Sequence, residues 1–189
     1  MKRFIRTSVA AALAFAAIFL GTLPVLAQEL FQDDPLIVAM TENKVDDVRA
    51  LMVRGHPTGV RDADGRTALI WGGLQGNYEA LEIFLEGRVR IDTADNYGNT
   101  ALYYAAGNGH VETVELLLDH GATIDAENLE GRTPLMRAVE AGRAETARRL
   151  IERGADANHT DFTGRSVLDW AREGRSSRIV RMLEDAGAR

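Results

Sequence analysis

The sequence predicts an all-α repeat solenoid of about five helix–turn–helix units. The first observation is a fixed period: glycines recur every 33 residues, at Gly65, Gly98, Gly131 and Gly164. The second is that three further columns keep this spacing: Thr or Ser two places after the glycine, Leu four places after it, and Asp or Asn three places before it. Because four columns share one spacing, the chain consists of repeated units, which must stack to bury their apolar faces.

Each unit begins with a turn and continues as two helices. An Asp or Asn side chain can bond nearby backbone, and the Gly three residues later supplies a positive φ. The Thr or Ser then caps a short helix through its hydroxyl, and Pro134 after Thr133 takes the first helical position, where its missing N–H costs nothing. Gly121 and Gly154 end second helices. We predict units at about 34–61, 62–94, 95–127, 128–160 and 161–189, after a short lead at 28–33.

The first 27 residues have the layout of a secretory signal peptide. Basic residues at positions 2, 3 and 6 precede an uncharged apolar run from Ser8 to Leu26, and cleavage is expected after Ala27. The predicted location is therefore periplasmic or secreted, with no membrane attachment after cleavage. The apolar run also approaches the roughly 20 residues of a membrane span, so an N-terminal membrane anchor is the alternative.

Composition argues against several functions. The chain carries a net charge of −6, and its first 27 residues contribute three positive and no negative charges, which leaves −9. An acidic domain is not expected to bind nucleic acid. The chain has no cysteine, and its four histidines lack the spacing of metal ligands. Because no nucleophile with a base nearby is apparent, the sequence predicts no enzyme and no cofactor.

Three stretches carry a resemblance to a known family. They read GNTALYYAAGNGH (98–110), LLLDHGA (116–122) and GRTPLMRA (131–138). These stretches resemble the ankyrin repeat, and the resemblance extends from about Asp33 to the end of the chain, in an exported bacterial type. It implies a right-handed stack of helix pairs with short β-hairpin-like fingers at the turns. Arg88 departs from the pattern, since it replaces a helix-ending Gly; we expect a non-Gly residue to take that turn and the joint to be looser or strained.

The resemblance also implies where a partner would bind. Family members contact partners through their finger tips and the ends of their first helices, which form a concave face. The tip positions that we expect to contact a partner are Asp64, Arg66, Asn96, Tyr97, Asn99, Leu129, Glu130, Arg132, Phe162 and Arg165. The helix-end positions are Leu74, Gln75, Asn108 and Glu140.

Two features of these tips favour binding, although each has a structural explanation. Tyr97, Leu129 and Phe162 put large apolar groups on turns, and Tyr and Arg are enriched at interface hot spots. We therefore expect a non-catalytic, monomeric protein–protein interaction module of the cell envelope. The alternatives are a small anionic ligand or glycan bound by an arginine row at positions 66, 132 and 165, and a secreted effector. The tip side chains could instead brace neighbouring fingers, and Trp71 and Trp170 could be anchors for a partner or packed between units.

Overall fold

The computed structural model describes residues 34–174 and 176–188. The predicted signal peptide at 1–27 and the lead at 28–33 lie outside the described residues. Within the described part there are ten α-helices in five pairs. The pairs are α1 (Pro35–Thr41) with α2 (Val45–Val53), α3 (Ala68–Gln75) with α4 (Tyr78–Leu85), α5 (Ala101–Asn108) with α6 (Val111–Asp119), α7 (Pro134–Glu140) with α8 (Ala144–Glu152), and α9 (Val167–Glu173) with α10 (Ser177–Asp185). The prediction of an all-α repeat fold is confirmed.

The helices form two layers. First helices pack on first helices in the order α1, α3, α5, α7 and α9, and second helices pack on second helices in the order α2, α4, α6, α8 and α10. The periodic leucines lie in the first layer and are all buried, namely Leu36, Leu69, Leu102, Leu135 and Leu168. Phe84, Leu117, Leu150 and Leu183 occupy the matching column of the second layer and are buried as well. Burying one such side chain contributes about 1.5–3 kcal/mol, so stacking of the units supplies the core.

The predicted caps start the first helices. The hydroxyls of Thr67, Thr100 and Thr133 each accept from the backbone N–H three residues later. Ser166 does the same and completes a capping box, because its own N–H donates to Asp169 Oδ2 at 3.0 Å. Asp34 caps α1 and also contacts Nε2 of His56 at 2.9 Å. Each unit therefore enters its first helix with its first N–H groups partly satisfied.

The turn after α4 differs from the prediction. After the second helix of a unit, a Gly with positive φ is usual, as at Gly121, and the next N–H then reaches back five residues, from Ala122 to Leu117 O at 3.0 Å. After α4, Arg88 does not have a positive φ, and the N–H of Val89 donates to Gly87 O at 3.0 Å. The expectation that a non-Gly residue takes the left-handed turn is wrong, because a different turn avoids that strain.

The second helix is followed by a loop that leads into the next turn. One isolated antiparallel bridge, between Thr160 and Ser166, flanks the last of these turns, and the part of the chain that the structure describes has no longer strand. Among the described helices, none is long and apolar enough to cross a membrane.

Candidate functional site at the finger tips

Four turns between the helix pairs form the fingers, which we number 1 (62–66), 2 (95–99), 3 (128–132) and 4 (161–165). In finger 1 the N–H of Asp62 donates to Arg66 O at 3.0 Å, and the N–H of Gly65 donates to Asp62 O at 3.0 Å. Oδ1 of Asp62 accepts from the N–H groups of Asp64 and Arg66, both at 2.9 Å. The same bonds recur in the other three fingers. The period of Asp or Asn and Gly therefore specifies a closed five-residue turn.

A backbone ladder joins the finger tips. The N–H of Asn96 donates to Asp64 O at 3.1 Å, that of Leu129 to Tyr97 O at 3.0 Å, and that of Phe162 to Glu130 O at 3.0 Å. Each tip is thus fixed to the one before it by a main-chain bond. A surface held in this way loses little conformational freedom when a partner covers it, which favours affinity.

Close approach between fingers requires glycine. At Gly131, where φ is +73°, an added Cβ would lie 2.5 Å from a ring carbon of Phe162 and 2.8 Å from its backbone nitrogen. The ring of Phe162 therefore rests on finger 3. This contact between fingers agrees with the bracing interpretation of the aromatic tip. Most of the Phe162 side chain nevertheless remains exposed.

Three apolar side chains stand out at the tips. Tyr97, Leu129 and Phe162 are 59%, 71% and 70% exposed, on fingers 2, 3 and 4. We call these three residues the apolar tip row. Of the described large apolar residues only Val53, Val60 and Tyr78 are also exposed, and they lie on other parts of the stack. Apolar side chains exposed on three consecutive fingers make this row a candidate interaction surface.

The arginines beside the tips stack on aromatic rings. The guanidinium of Arg66 lies 5.3 Å from the ring centroid of Trp71 and 5.7 Å from that of Tyr104. Trp170 lies under two arginines, at 4.3 Å from Arg132 and 3.7 Å from Arg165. These distances are in the range of cation–π interactions. Each arginine therefore packs against one or two aromatic rings of the first helices.

Carboxylates pair with the same arginines. Arg66 contacts Asp64 at 3.4 Å, and Arg165 pairs with Glu173. Arg132 contacts two carboxylates, at 3.0 Å from Glu130 and 3.3 Å from Glu140. The charge of an arginine that is stacked and paired in this way is already partly neutralised by a carboxylate. An external anion would have to displace that carboxylate. The arrangement supports a bracing role for the arginine row.

The aromatic residues beneath these arginines bind the second carboxylate oxygen of the finger. The indole Nε1 of Trp71 donates to Asp62 Oδ2 at 2.9 Å, and that of Trp170 donates to Asp161 Oδ2 at 3.1 Å. Each tryptophan thus fastens a finger to the first helix of its own unit, and Trp170 also packs under Arg132 of the preceding unit. Burial works to raise the pKa of Asp161, but donors from Thr163, Arg165 and Trp170 outweigh it and hold that pKa below its usual value.

Fingers 2 and 3 vary this arrangement. Tyr104 takes the aromatic position, and its hydroxyl donates to Asp95 Oδ2 at 2.6 Å. Burial, and then the bond to Asp95, raise the pKa of Tyr104, so the hydroxyl remains a donor at neutral pH. In finger 3 the residue is Asn128, whose Nδ2 donates to Asn99 Oδ1 at 2.9 Å. The recurrence of an aromatic residue nine places after the finger Asp could have revealed this contact from the sequence.

Not every tip position predicted to contact a partner is accessible. Asn99 is buried, and its side chain joins Tyr104 OH at 3.2 Å to Asn128, so it braces fingers 2 and 3. The remaining accessible polar tips are Asp64, Asn96 and Glu130, which are exposed beside the apolar tip row. Asn96 also reaches back, since its Nδ2 donates to Ala63 O at 3.4 Å.

The helix-end positions Asn108 and Glu140 also make side-chain contacts, the first between units and the second within its own unit. Nδ2 of Asn108 donates to Leu74 O at 2.7 Å, and Nε2 of His110 lies 3.2 Å from the same oxygen. Glu140 pairs with Arg132 and with Arg137, the latter at 2.8 Å. Within 34–174 and 176–188, no cluster of three or more His, Cys, Asp or Glu side chains could hold a metal ion.

Comparison with known families agrees with this architecture. A model of ankyrin repeats in three copies matches residues 36–128, and a model of ankyrin repeats in many copies matches residues 117–171. No curated protein matches the chain. Ankyrin repeats are generally protein–protein interaction modules and are typically non-catalytic. With helix pairs, fingers and repeat motifs that match over residues 36–171, the chain belongs to the ankyrin-repeat family.

Proposed function

We propose that this protein is a non-catalytic module of the cell envelope that binds one partner protein through the apolar tip row. The observation that carries the proposal is the exposure of Tyr97, Leu129 and Phe162 on three consecutive fingers. Covering them would remove their remaining exposed apolar area from water, which favours a complex by roughly 25 cal/mol per Å² before the entropic cost of association is subtracted.

The surroundings of the row suit a protein partner. Exposed polar side chains at Asp64, Asn96 and Glu130 lie beside the apolar groups. An apolar centre with a polar rim is the usual composition of a specific protein interface. The backbone ladder between tips adds preorganisation, which lowers the entropic cost of binding.

The alternative, binding of a small anionic ligand or glycan by the arginine row, has less support. Arg66, Arg132 and Arg165 each have an aromatic ring and a carboxylate as partners. An external anion would have to compete with these contacts. The predicted role as a secreted effector depends on export and not on this surface.

The test is affinity capture from a native envelope extract with the chain lacking residues 1–27. Leu129→Ser removes one exposed apolar tip, and Val53→Ser removes an exposed apolar group at the end of α2, away from the fingers. We expect one protein to be retained by the natural chain and by Val53→Ser, and to be lost with Leu129→Ser and with Tyr97→Ala/Phe162→Ala. Equal retention by all variants would refute the assignment of the tip row.

Export is tested separately. If the leader is cleaved after Ala27, the mature protein begins at Gln28, and intact mass spectrometry of the purified protein will give the mass of 28–189. A mass that includes residues 1–27 would instead support the membrane-anchored alternative. Light scattering on the same sample tests the expected monomer.

A further inference from the structure

A carboxylate links neighbouring loops in the later units. Asp92 accepts from the N–H of Thr123 at 2.9 Å and from its hydroxyl at 2.6 Å. One period further on, both oxygens of Asp125 lie 3.2 Å from the N–H of Asp156. The acceptor thus lies in the loop after one second helix, and the donor lies 31 residues later, in the loop after the next.

The loop after α2, where the first of these carboxylates would stand, has none. One period before Asp92 stands Gly59, and one period before Thr123 stands Arg90. The residue before Gly59 also changes type: Thr58 occupies the column in which Ile91 and Ile124 pack against the core. The loss of a carboxylate and of an apolar side chain at adjacent positions leaves a cleft between the two loops.

This cleft has a volume of about 160 Å³ and is lined by Thr58, Gly59, Arg61, Arg88 and Arg90, among others. One water occupies about 30 Å³ of the liquid, so the cleft has room for several waters or one small polyatomic ion. None of the described residues that line it carries a carboxylate. The nearby carboxylate of Asp92 is bound to Thr123.

Three arginines, at positions 61, 88 and 90, line this cleft. Nη1 of Arg61 donates to Gly65 O and to Ala94 O, both at 2.6 Å, which fixes this guanidinium across the two loops. Among the described residues, neither Arg88 nor Arg90 has an ion-pair partner, in contrast to the arginines of the finger row. Arg88 stands where other units have the helix-ending Gly, so the departure from the repeat adds a positive charge at this place.

We propose that the cleft binds a small oxyanion, which is a carboxylate or a phosphate group. The anion takes the position that the carboxylates of Asp92 and Asp125 have in the later units. The anion accepts from the backbone and side chain of Arg90 and pairs with Arg88 and Arg61. Planar guanidinium groups bind both kinds of anion through paired N–H donors. The site is separate from the apolar tip row, and neither proposal depends on the other.

The experiment is a titration of the protein, expressed from its full-length sequence, with inorganic phosphate and in parallel with acetate. Thermal unfolding and NMR shifts are followed against sodium chloride of equal ionic strength. Gly59→Asp supplies the carboxylate within the chain, and Gly59→Ala is its matched control. Both fit, because Gly59 lacks a positive φ and an added Cβ meets no atom within 4 Å. Arg90→Gln removes one of the proposed partners of the anion.

We expect a saturable rise in melting temperature for the natural chain and for Gly59→Ala. Gly59→Asp should melt higher without added anion and should lose the response, while Arg90→Gln should bind about tenfold more weakly or worse, as for a lost hydrogen bond to a charged group. The tighter of the two anions identifies the group that the site prefers. Equal responses in all four proteins would show only the general stabilisation that phosphate gives because it is excluded from protein surfaces, and would overturn the proposal. Failure to saturate up to about 0.15 M ionic strength would overturn it as well.

Discussion

The contact between finger 4 and α9 can be tested with Asp161→Asn. Asp161 is 5% exposed, and its Oδ1 accepts from the N–H of Thr163 at 2.9 Å and of Arg165 at 3.1 Å. An amide oxygen can retain these bonds. The amide nitrogen would then face Nε1 of Trp170, which donates to Oδ2 at 3.1 Å in the natural protein. Two donors would oppose each other in a buried place, and we expect a loss of about 1–3 kcal/mol in the free energy of unfolding.

A double-mutant cycle isolates this contact. Trp170→Phe removes the indole N–H but keeps an aromatic ring under Arg132 and Arg165. In Asp161→Asn/Trp170→Phe the opposing donors are both gone, so the double variant should lose less than the sum of the single losses. Urea unfolding followed by circular dichroism gives the four free energies. Additivity to within about 0.5 kcal/mol would refute the argument that the indole bond stabilises the finger.

The stability difference between the natural protein and Asp161→Asn should also depend on pH. Because the pKa of Asp161 in the folded protein is below its usual value of 3.8, the ionised carboxylate stabilises the fold. This contribution is fully present above about pH 4 and is lost as the pH falls through the folded pKa. Asp161→Asn lacks the ionisable group, so the difference in stability between natural and variant proteins should shrink below about pH 4. A constant difference between pH 7 and pH 3 would contradict the assigned direction of the shift.

Three further predictions concern the stack and its tips. Gly131→Ala should destabilise the fold by more than about 2 kcal/mol, since a left-handed residue costs about 1–2 kcal/mol and the added Cβ also meets the next finger. Gly164→Ala is the control and should show the backbone cost alone, because nothing lies within 4 Å of an added Cβ there. Equal losses in urea unfolding would refute the close approach at Gly131. Thr133→Ala should cost about 1 kcal/mol through loss of the cap of α7, measured in the same way; an unchanged midpoint would show that the hydroxyl bond is not a stabilising one. Leu129→Ser and Val53→Ser should each change stability by less than about 0.5 kcal/mol, because both side chains are mostly exposed; a large loss for Leu129→Ser alone would assign the tip to bracing.

Much of this protein was predictable because its structure is local and repeated. The 33-residue period predicts the helix pairs, since the cap bonds of the Thr residues span three residues and every finger closes within five. The buried leucines follow from the same period. The apolar tip row was also visible, because apolar residues at turn positions depart from ordinary turn chemistry.

What could not be read from one unit depends on how neighbouring units meet. The sequence left open whether the arginines beside the tips bind a ligand or brace the fingers, and only the packed structure put aromatic rings and carboxylates against them. Asn99 looked accessible as a turn residue, but its neighbour finger covers it and binds its side chain.

The class of fold, the number of described helix pairs and the row of apolar tips therefore follow from the sequence pattern, because hydrogen bonds over three to five residues and one apolar period suffice for these. The turn at Arg88 is local, but the repeat pattern gave no indication of which turn replaces the usual Gly. The burial of Asn99 and the basic cleft beside Gly59 follow from tertiary structure, because they arise where residues about 30 positions apart come into contact. The energies of such contacts depend on the side chains of two neighbouring units, and the pattern of a single unit contains only one partner of each contact.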